Sequence, residues 1–194
     1  GVLAREHRQI GDGADRGQLF AQALGEIAHL VKARRALLVY PAKQLDRAKA
    51  PITVNNFLTY VKKKLYNNTV FHRLEAEFVL QGGGYDSNYQ PIEQLKTIFN
   101  ESGNGLKNLQ GTIAMARLTD PHSASSQFYF NLKDSPHLDP GRNWGYAVFG
   151  YITAGHEVIE KIRAVQTDTS AELGWPNVPV EKVVLKTVIV LPEP

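Results

Sequence analysis

Arg73 is the residue most in need of a chemical explanation. It lies in VFHRLEAEFVLQGGGYD (Val70 to Asp86), beside Phe71, Phe78, Val79 and Leu80. A guanidinium keeps its charge at every physiological pH and is costly to desolvate. Few other polar side chains interrupt the neighbouring apolar runs: Gln81, Gln127 and Asn131, set among Phe128, Tyr129 and Phe130. An apolar surface with a small number of polar groups is the usual form of a ligand site. The alternative is a structural charge, paired in a salt bridge at a strand end. Spacing alone leaves both open and names no ligand.

Other chemistries find little support. The six histidines, His7, His29, His72, His122, His137 and His156, never pair at i, i+3 or i, i+4, and HExxH is absent, so no metal site is expected. GGGYD and GNGLKNLQG lack the spacing of GxGxxG or GxxxxGK[ST], and their glycines are read as serving turns and close backbone approach. No GxSxG occurs, and Ser123, Ser125 and Ser126 read as loop residues. Cysteine is absent, which removes disulfides, thiolate ligands and a cysteine nucleophile. Paired-carboxylate hydrolysis stays open, although no Asp or Glu falls inside an apolar run. The net charge of +3 is thinly spread. KARR (32–35) and KKK (62–64) read as solvated faces, so no nucleic-acid partner is expected. No apolar run approaches the ~20 residues of a membrane span, and residues 1–17 lack the pattern of a signal peptide.

The elements that must position Arg73 are legible from periodicity. Phe20, Leu24, Ile27 and Val31 recur at helical spacing, predicting an amphipathic helix over 15–35 with Asp15 as N-cap. ALLVY (36–40) reads as a short strand ended by Pro41. Its residues 37–40 are expected to pair with the C-terminal strand, and 44–49 to form a loop. From Pro51, Val54, Phe57, Leu58, Val61 and Leu65 share a helical face. Short apolar runs follow, TVFHRL, EFVLQGG, GTIAMARL, SQFYFNL and YAVFGYI. Then come a helix in HEVIEKIRAV and one or two strands in KVVLKTVIVL. About seven strands and two helices predict an antiparallel barrel plugged by helices, with a two-layer α+β sandwich as the alternative.

The string APITVNNFLTYVKKKLYNNTVFHRLEAEFVLQGGGYD resembles the cyclophilins, the peptidyl-prolyl cis-trans isomerases. The resemblance continues through NESGNGLKNLQGTIAMAR, HSASSQFYFNLKDSPHLDPGRNWGYAVFGYITAGHEVIEKI and NVPVEKVVL, covering residues 50 to about 192. It implies a mainly β fold, an eight-stranded or nearly closed antiparallel barrel capped by two helices. Residues 36–194 would form the isomerase domain, and residues 1–35 a helical extension. FHR supplies Arg73 as the catalytic arginine. Substrate-binding positions fall on Phe78, Val79, Gln81, Ala116, Arg117, Gln127, Tyr129, His137, Leu138 and Tyr146. Val79 stands where methionine is usual, Tyr129 where phenylalanine is usual, and His137 where tryptophan or phenylalanine is usual. The first two trim or polarise the pocket, and the third implies weak or absent cyclosporin binding. The resemblance implies no cofactor and no metal. Its partners would be proline-containing peptides and unfolded or folding proteins, acted on by a monomer with no membrane partner. NESGNGLKN and WGYAVFG are similar to the bacterial branch, its periplasmic subgroup more than the cytosolic one. A proline-peptide-binding chaperone or scaffold with little turnover is the alternative function.

Overall fold

The computed structural model describes residues 18–22, 25–27, 37–39, 42–141 and 143–190. In chain order the strands are β1 (Gln18–Gln22), β2 (Gly25–Ile27), β3 (Leu37–Val39) and β4 (Ala42–Asp46). Helix α1 (Pro51–Lys62) follows, then β5 (Thr69–Leu74), β6 (Val79–Asp86), β7 (Thr112–Met115), β8 (Phe128–Asn131) and β9 (Val148–Ala154). Helix α2 (His156–Arg163) precedes β10 (Thr167–Asp168), β11 (Val178–Pro179), β12 (Val184–Leu185) and β13 (Ile189–Val190). Nine strands form one antiparallel sheet in the order β12-β5-β6-β8-β7-β9-β4-β1-β13. The two outermost strands, β12 and β13, follow each other closely in the chain, so the sheet must curl to bring its edges near one another.

The N-terminal expectations need correction. Residues 18–22 and 25–27, expected within a helix, are strands, and the rest of that expected helix lies outside the described residues. Leu37–Val39 is a strand as expected, but it pairs with β2 and not with the C-terminal strand. β1 takes that place, with Ala21 opposite Val190 and Gln22 opposite Ile189. Residues 44–46, expected in a loop over 44–49, belong to β4, which lies between β1 and β9. AKQLD has too little alternation to announce a strand. Its one large apolar residue, Leu45, is fully buried, and Gln44 is paired with the Tyr151 hydroxyl at 2.6 Å. In place of the expected eight strands, the sheet has nine, with no ladder joining β12 to β13 among the described residues.

From α1 onward the periodicities hold. The buried face of α1 carries Thr53, Val54, Phe57, Tyr60 and Val61. Pro51 suits the first helical position, but Ala50 has no side chain with which to cap it. Glu101 does so from a distant loop, accepting from the backbone N–H of Ile52 (3.1 Å) and Thr53 (2.7 Å) and from the Thr53 hydroxyl (2.7 Å). Its charge also suits the positive end of the helix dipole. Phe57 packs edge-on against Phe128 of β8 at 5.4 Å, and α2 contributes Val158, Ile159 and Ile162 to the same core.

Strand alternation then divides the central sheet into two faces. Leu80, Ile113, Met115, Phe128, Phe130 and Phe149 enter the main core beneath the helices. Val79, Ala114, Tyr129 and Val148 enter a second, smaller cluster. Against this cluster pack Phe78, Leu106, Ala116, Leu138 and Tyr146, all partly buried.

Candidate active site

Arg73 and Gln81 are opposite each other in the β5–β6 ladder, which shifts register between Phe71 and Arg73. Arg73 Nη1 donates to Gln81 Oε1 at 3.4 Å, and Gln81 Nε2 donates to Gln127 Oε1 at 2.8 Å. Gly84 makes this chain possible: a Cβ there would meet the Gln127 side chain at 2.7–2.8 Å. Gly83, at φ +77°, is equally closed to a side chain, with Phe128 at 2.8 Å. The glycine run is therefore a matter of close approach, as its lack of nucleotide spacing suggested.

Arg73 is ion-paired and also borders apolar surface. Its Nε (2.9 Å) and Nη2 (2.5 Å) donate to Glu75 Oε1, a salt bridge near the end of β5. The same guanidinium lies 5.7 Å from the centre of the Phe78 ring, at the border of the small apolar cluster. Glu75 was missed in the sequence, although opposite charges two residues apart on an extended chain were a usable signal.

Phe78 departs from simple alternation. It precedes β6 in a turn closed by its N–H to Glu75 O (2.8 Å), and so joins Val79 and not Leu80. His137 stacks on Phe78 at 5.4 Å with rings 25° apart, and it is exposed. Leu138 is bonded to Tyr146 through the backbone (Tyr146 N to Leu138 O, 2.9 Å). The Arg117 guanidinium lies 4.5 Å over the Tyr146 ring, with Nε donating to Gly145 O at 3.0 Å. Ala116 is tied to Gln127 by its N–H at 3.0 Å. Of the candidate positions, Gln81, Ala116, Arg117, Gln127, His137, Leu138 and Tyr146 line surface concavities, whereas Val79 and Tyr129 are buried in the small apolar cluster, with Phe78 packed against it.

Tyr129 does not polarise the pocket. Its hydroxyl donates to Asn108 Oδ1 at 2.9 Å, and burial raises its pKa well above the usual phenol value, with Tyr146 and Asp139 adding to the effect and Arg117 opposing it. Only its ring borders the apolar cluster. Asn131, counted among the polar groups, is also structural: it is buried, with Nδ2 donating to Asn108 and Thr112. Asn108 is the hub behind both, and its own Nδ2 and backbone N–H donate to Asp139.

Two concavities flank the site. One of about 760 Å³ is lined by Arg117, His137, Leu138, Trp144 and Tyr146 among others. The other, about 240 Å³, is lined by Gln81, Ala116, Gln127 and the unforeseen Gln94 and Ser125. The two share Arg117 and Leu118 in their walls. Among the described residues no group of three or more His, Asp and Glu could hold a metal ion.

The family model described as cyclophilin type peptidyl-prolyl cis-trans isomerase/CLD matches residues 42–190, beginning at β4. The chain is 44% identical over 152 residues to the peptidyl-prolyl cis-trans isomerase cyp18 of Streptomyces antibioticus, a span of 76% of this chain and 90% of that protein. It is 42% identical over 146 residues to peptidyl-prolyl cis-trans isomerase B of Escherichia coli, covering 73% and 88% respectively. The fold is similar to a crystal structure of a Cryptosporidium parvum cyclophilin-type isomerase, with a TM-score of 0.71 at 19% identity, over 92% of this chain and 100% of that one.

Proposed function

The chain belongs to the cyclophilin-type peptidyl-prolyl cis-trans isomerase family, and from this we propose that it accelerates rotation about Xaa-Pro bonds in folding proteins. The observation that carries the reading is a single oriented cation, Arg73, at the edge of the apolar cluster of Phe78, Val79, Tyr129 and Leu138.

The reaction needs no bond broken. Amide resonance gives C–N partial double-bond character, which sets a rotational barrier near ~20 kcal/mol. In the twisted transition state the nitrogen becomes pyramidal and regains its lone pair. A donor aimed at that nitrogen stabilises the twisted state more than either planar state, which is the condition for faster turnover. Arg73 supplies such a donor, since a guanidinium carries its charge at physiological pH. The apolar cluster receives the pyrrolidine ring and excludes water, strengthening the guanidinium's field. Gln81 and Gln127 hold the arginine side of the peptide, and Ala116 with the Arg117 backbone lines the stretch beyond it. Partners are therefore proline-containing peptides; a solved Cryptosporidium parvum neighbour of similar fold (TM-score 0.69) was crystallised with the dipeptide Ala-Pro. The loop sequences NESGNGLKN and WGYAVFG support a bacterial, periplasmic protein, a placement that cell fractionation tests.

The decisive measurement is exchange of an Xaa-Pro peptide, followed by protease coupling. Arg73→Ala is expected to lower the rate about a hundredfold, the scale of one oriented transition-state donor, while peptide affinity changes far less. Equal losses of affinity and rate would remove the assignment of Arg73 to the twisted amide. Binding without turnover in the unmodified protein would instead indicate a proline-binding module.

A further inference from the structure

Arginine has many rotamers, and a donor that must meet a transient lone pair is useful only if its direction is set beforehand. Gln81 touches Arg73 weakly, at 3.4 Å. The stronger hold comes from Glu75, whose Oε1 accepts both Nε–H (2.9 Å) and Nη2–H (2.5 Å). Two N–H groups converging on one oxygen turn that edge of the guanidinium to the carboxylate and leave it fewer orientations than a single bond would. The carboxylate is itself held. Asn177 Nδ2 donates to the same oxygen at 3.1 Å, and the Asn177 carbonyl accepts from Leu74 N–H at 2.9 Å. Asn177 takes up φ 58°, a left-handed conformation that Asn tolerates better than most residues. A loop a hundred residues away in sequence thus braces the carboxylate that braces the arginine. Nη1 is left pointing towards Gln81.

We propose that Glu75 is a positioning residue for the isomerisation, fixing the Arg73 guanidinium so that Nη1 faces the substrate amide; the inference rests on the role of Arg73 given above. Two effects of the carboxylate oppose each other. It orients the donor, and it also offsets part of the donor's charge. The side chains of Arg73 and Glu75 are 40% and 32% exposed. Water therefore screens the charge effect, whereas orientation is not screened. Positioning dominates, and removing Glu75 slows the reaction.

The test measures kcat and KM with an Xaa-Pro peptide in four proteins: unmodified, Glu75→Ala, Glu75→Gln and the pair Arg73→Ala/Glu75→Ala. Glu75→Ala is expected to lower kcat about tenfold, equal to about 1.4 kcal/mol, with KM within about twofold. Glu75→Gln keeps a carbonyl able to accept the same two N–H groups and should restore kcat to within about threefold. In the Arg73→Ala background the loss of Glu75 should cost nothing more, since it acts only through the arginine. An unchanged or raised kcat in Glu75→Ala overturns the proposal. So does a loss confined to KM, or an undiminished loss without Arg73. An inactive unmodified protein overturns the role of Arg73 and this proposal with it. An active one indifferent to residue 75 overturns this proposal alone.

Discussion

The two faces of the central sheet carry similar residue types and behave differently. On one face, Leu80, Ile113, Phe128, Phe130 and Phe149 are covered by α1 and α2, each at no more than 1% exposure. On the other, Val79, Ala114, Tyr129 and Val148 are covered only by single side chains and a loop, and Phe78, Leu138 and Tyr146 remain part-exposed. An apolar layer with a helix on it is a core. The same layer without one, rimmed by part-exposed side chains, is the surface proposed above to receive substrate. The polar residues follow the division: Arg73, Gln81 and Gln127 line the uncovered side, while His72, next in the chain to Arg73, is turned inward and buried.

Breaking the covered face should cost most. Phe128→Ala removes a fully buried ring in edge contact with Phe57, Tyr66, Phe71 and Phe130. A loss of about 3–5 kcal/mol is expected in urea denaturation, a large fraction of the ~5–15 kcal/mol that holds an ordinary domain folded.

His72 sharpens the contrast through pH. Burial, with a smaller contribution from the Arg73 charge, lowers its pKa to about 4, against about 6.5 in an unfolded chain. Between those values the unfolded state binds the proton and the folded state does not. Stability is therefore complete above about pH 6.5 and is lost as the pH falls towards 4, by about 3 kcal/mol in all. His72→Phe should flatten that part of the urea-midpoint profile, whereas activity per folded molecule should stay level between pH 6 and 8. A midpoint that does not move with pH in the unmodified protein would show that His72 is hydrated.

On the uncovered face the costs are smaller and appear in binding. Tyr129→Phe removes the hydrogen bond to Asn108 and should destabilise by about 1 kcal/mol, leaving turnover near its original rate because the ring still borders the apolar cluster. A large activity loss would mean that the hydroxyl faces substrate. His137→Trp should leave the denaturation midpoint almost unchanged, since residue 137 is exposed. It should tighten cyclosporin binding in a titration, because an indole stacked on Phe78 offers more apolar area. Tight binding by the unmodified protein would oppose that reading.

What the sequence determined by itself was whatever repeats with a short period. Apolar spacing located α1, α2 and β5 to β9, because a residue's face depends only on its position within the helix or strand. The candidate site positions had another source: Arg73, Gln81 and Gln127 stood out as polar residues among apolar ones, and Ala116, Arg117, His137, Leu138 and Tyr146 were implied by the cyclophilin resemblance alone. β4 was hidden by its polar sequence, since a strand between two others is held by backbone bonds that leave little trace in side-chain type. The pairing of β1 with β13, the cap that Glu101 supplies to α1, the Asn108 hub and the Asn177–Glu75 contact all join residues far apart in the chain. No local pattern encodes such pairs. Which of two apolar faces would be buried was likewise decided only when the helices packed against one of them, leaving the face beside Arg73 open.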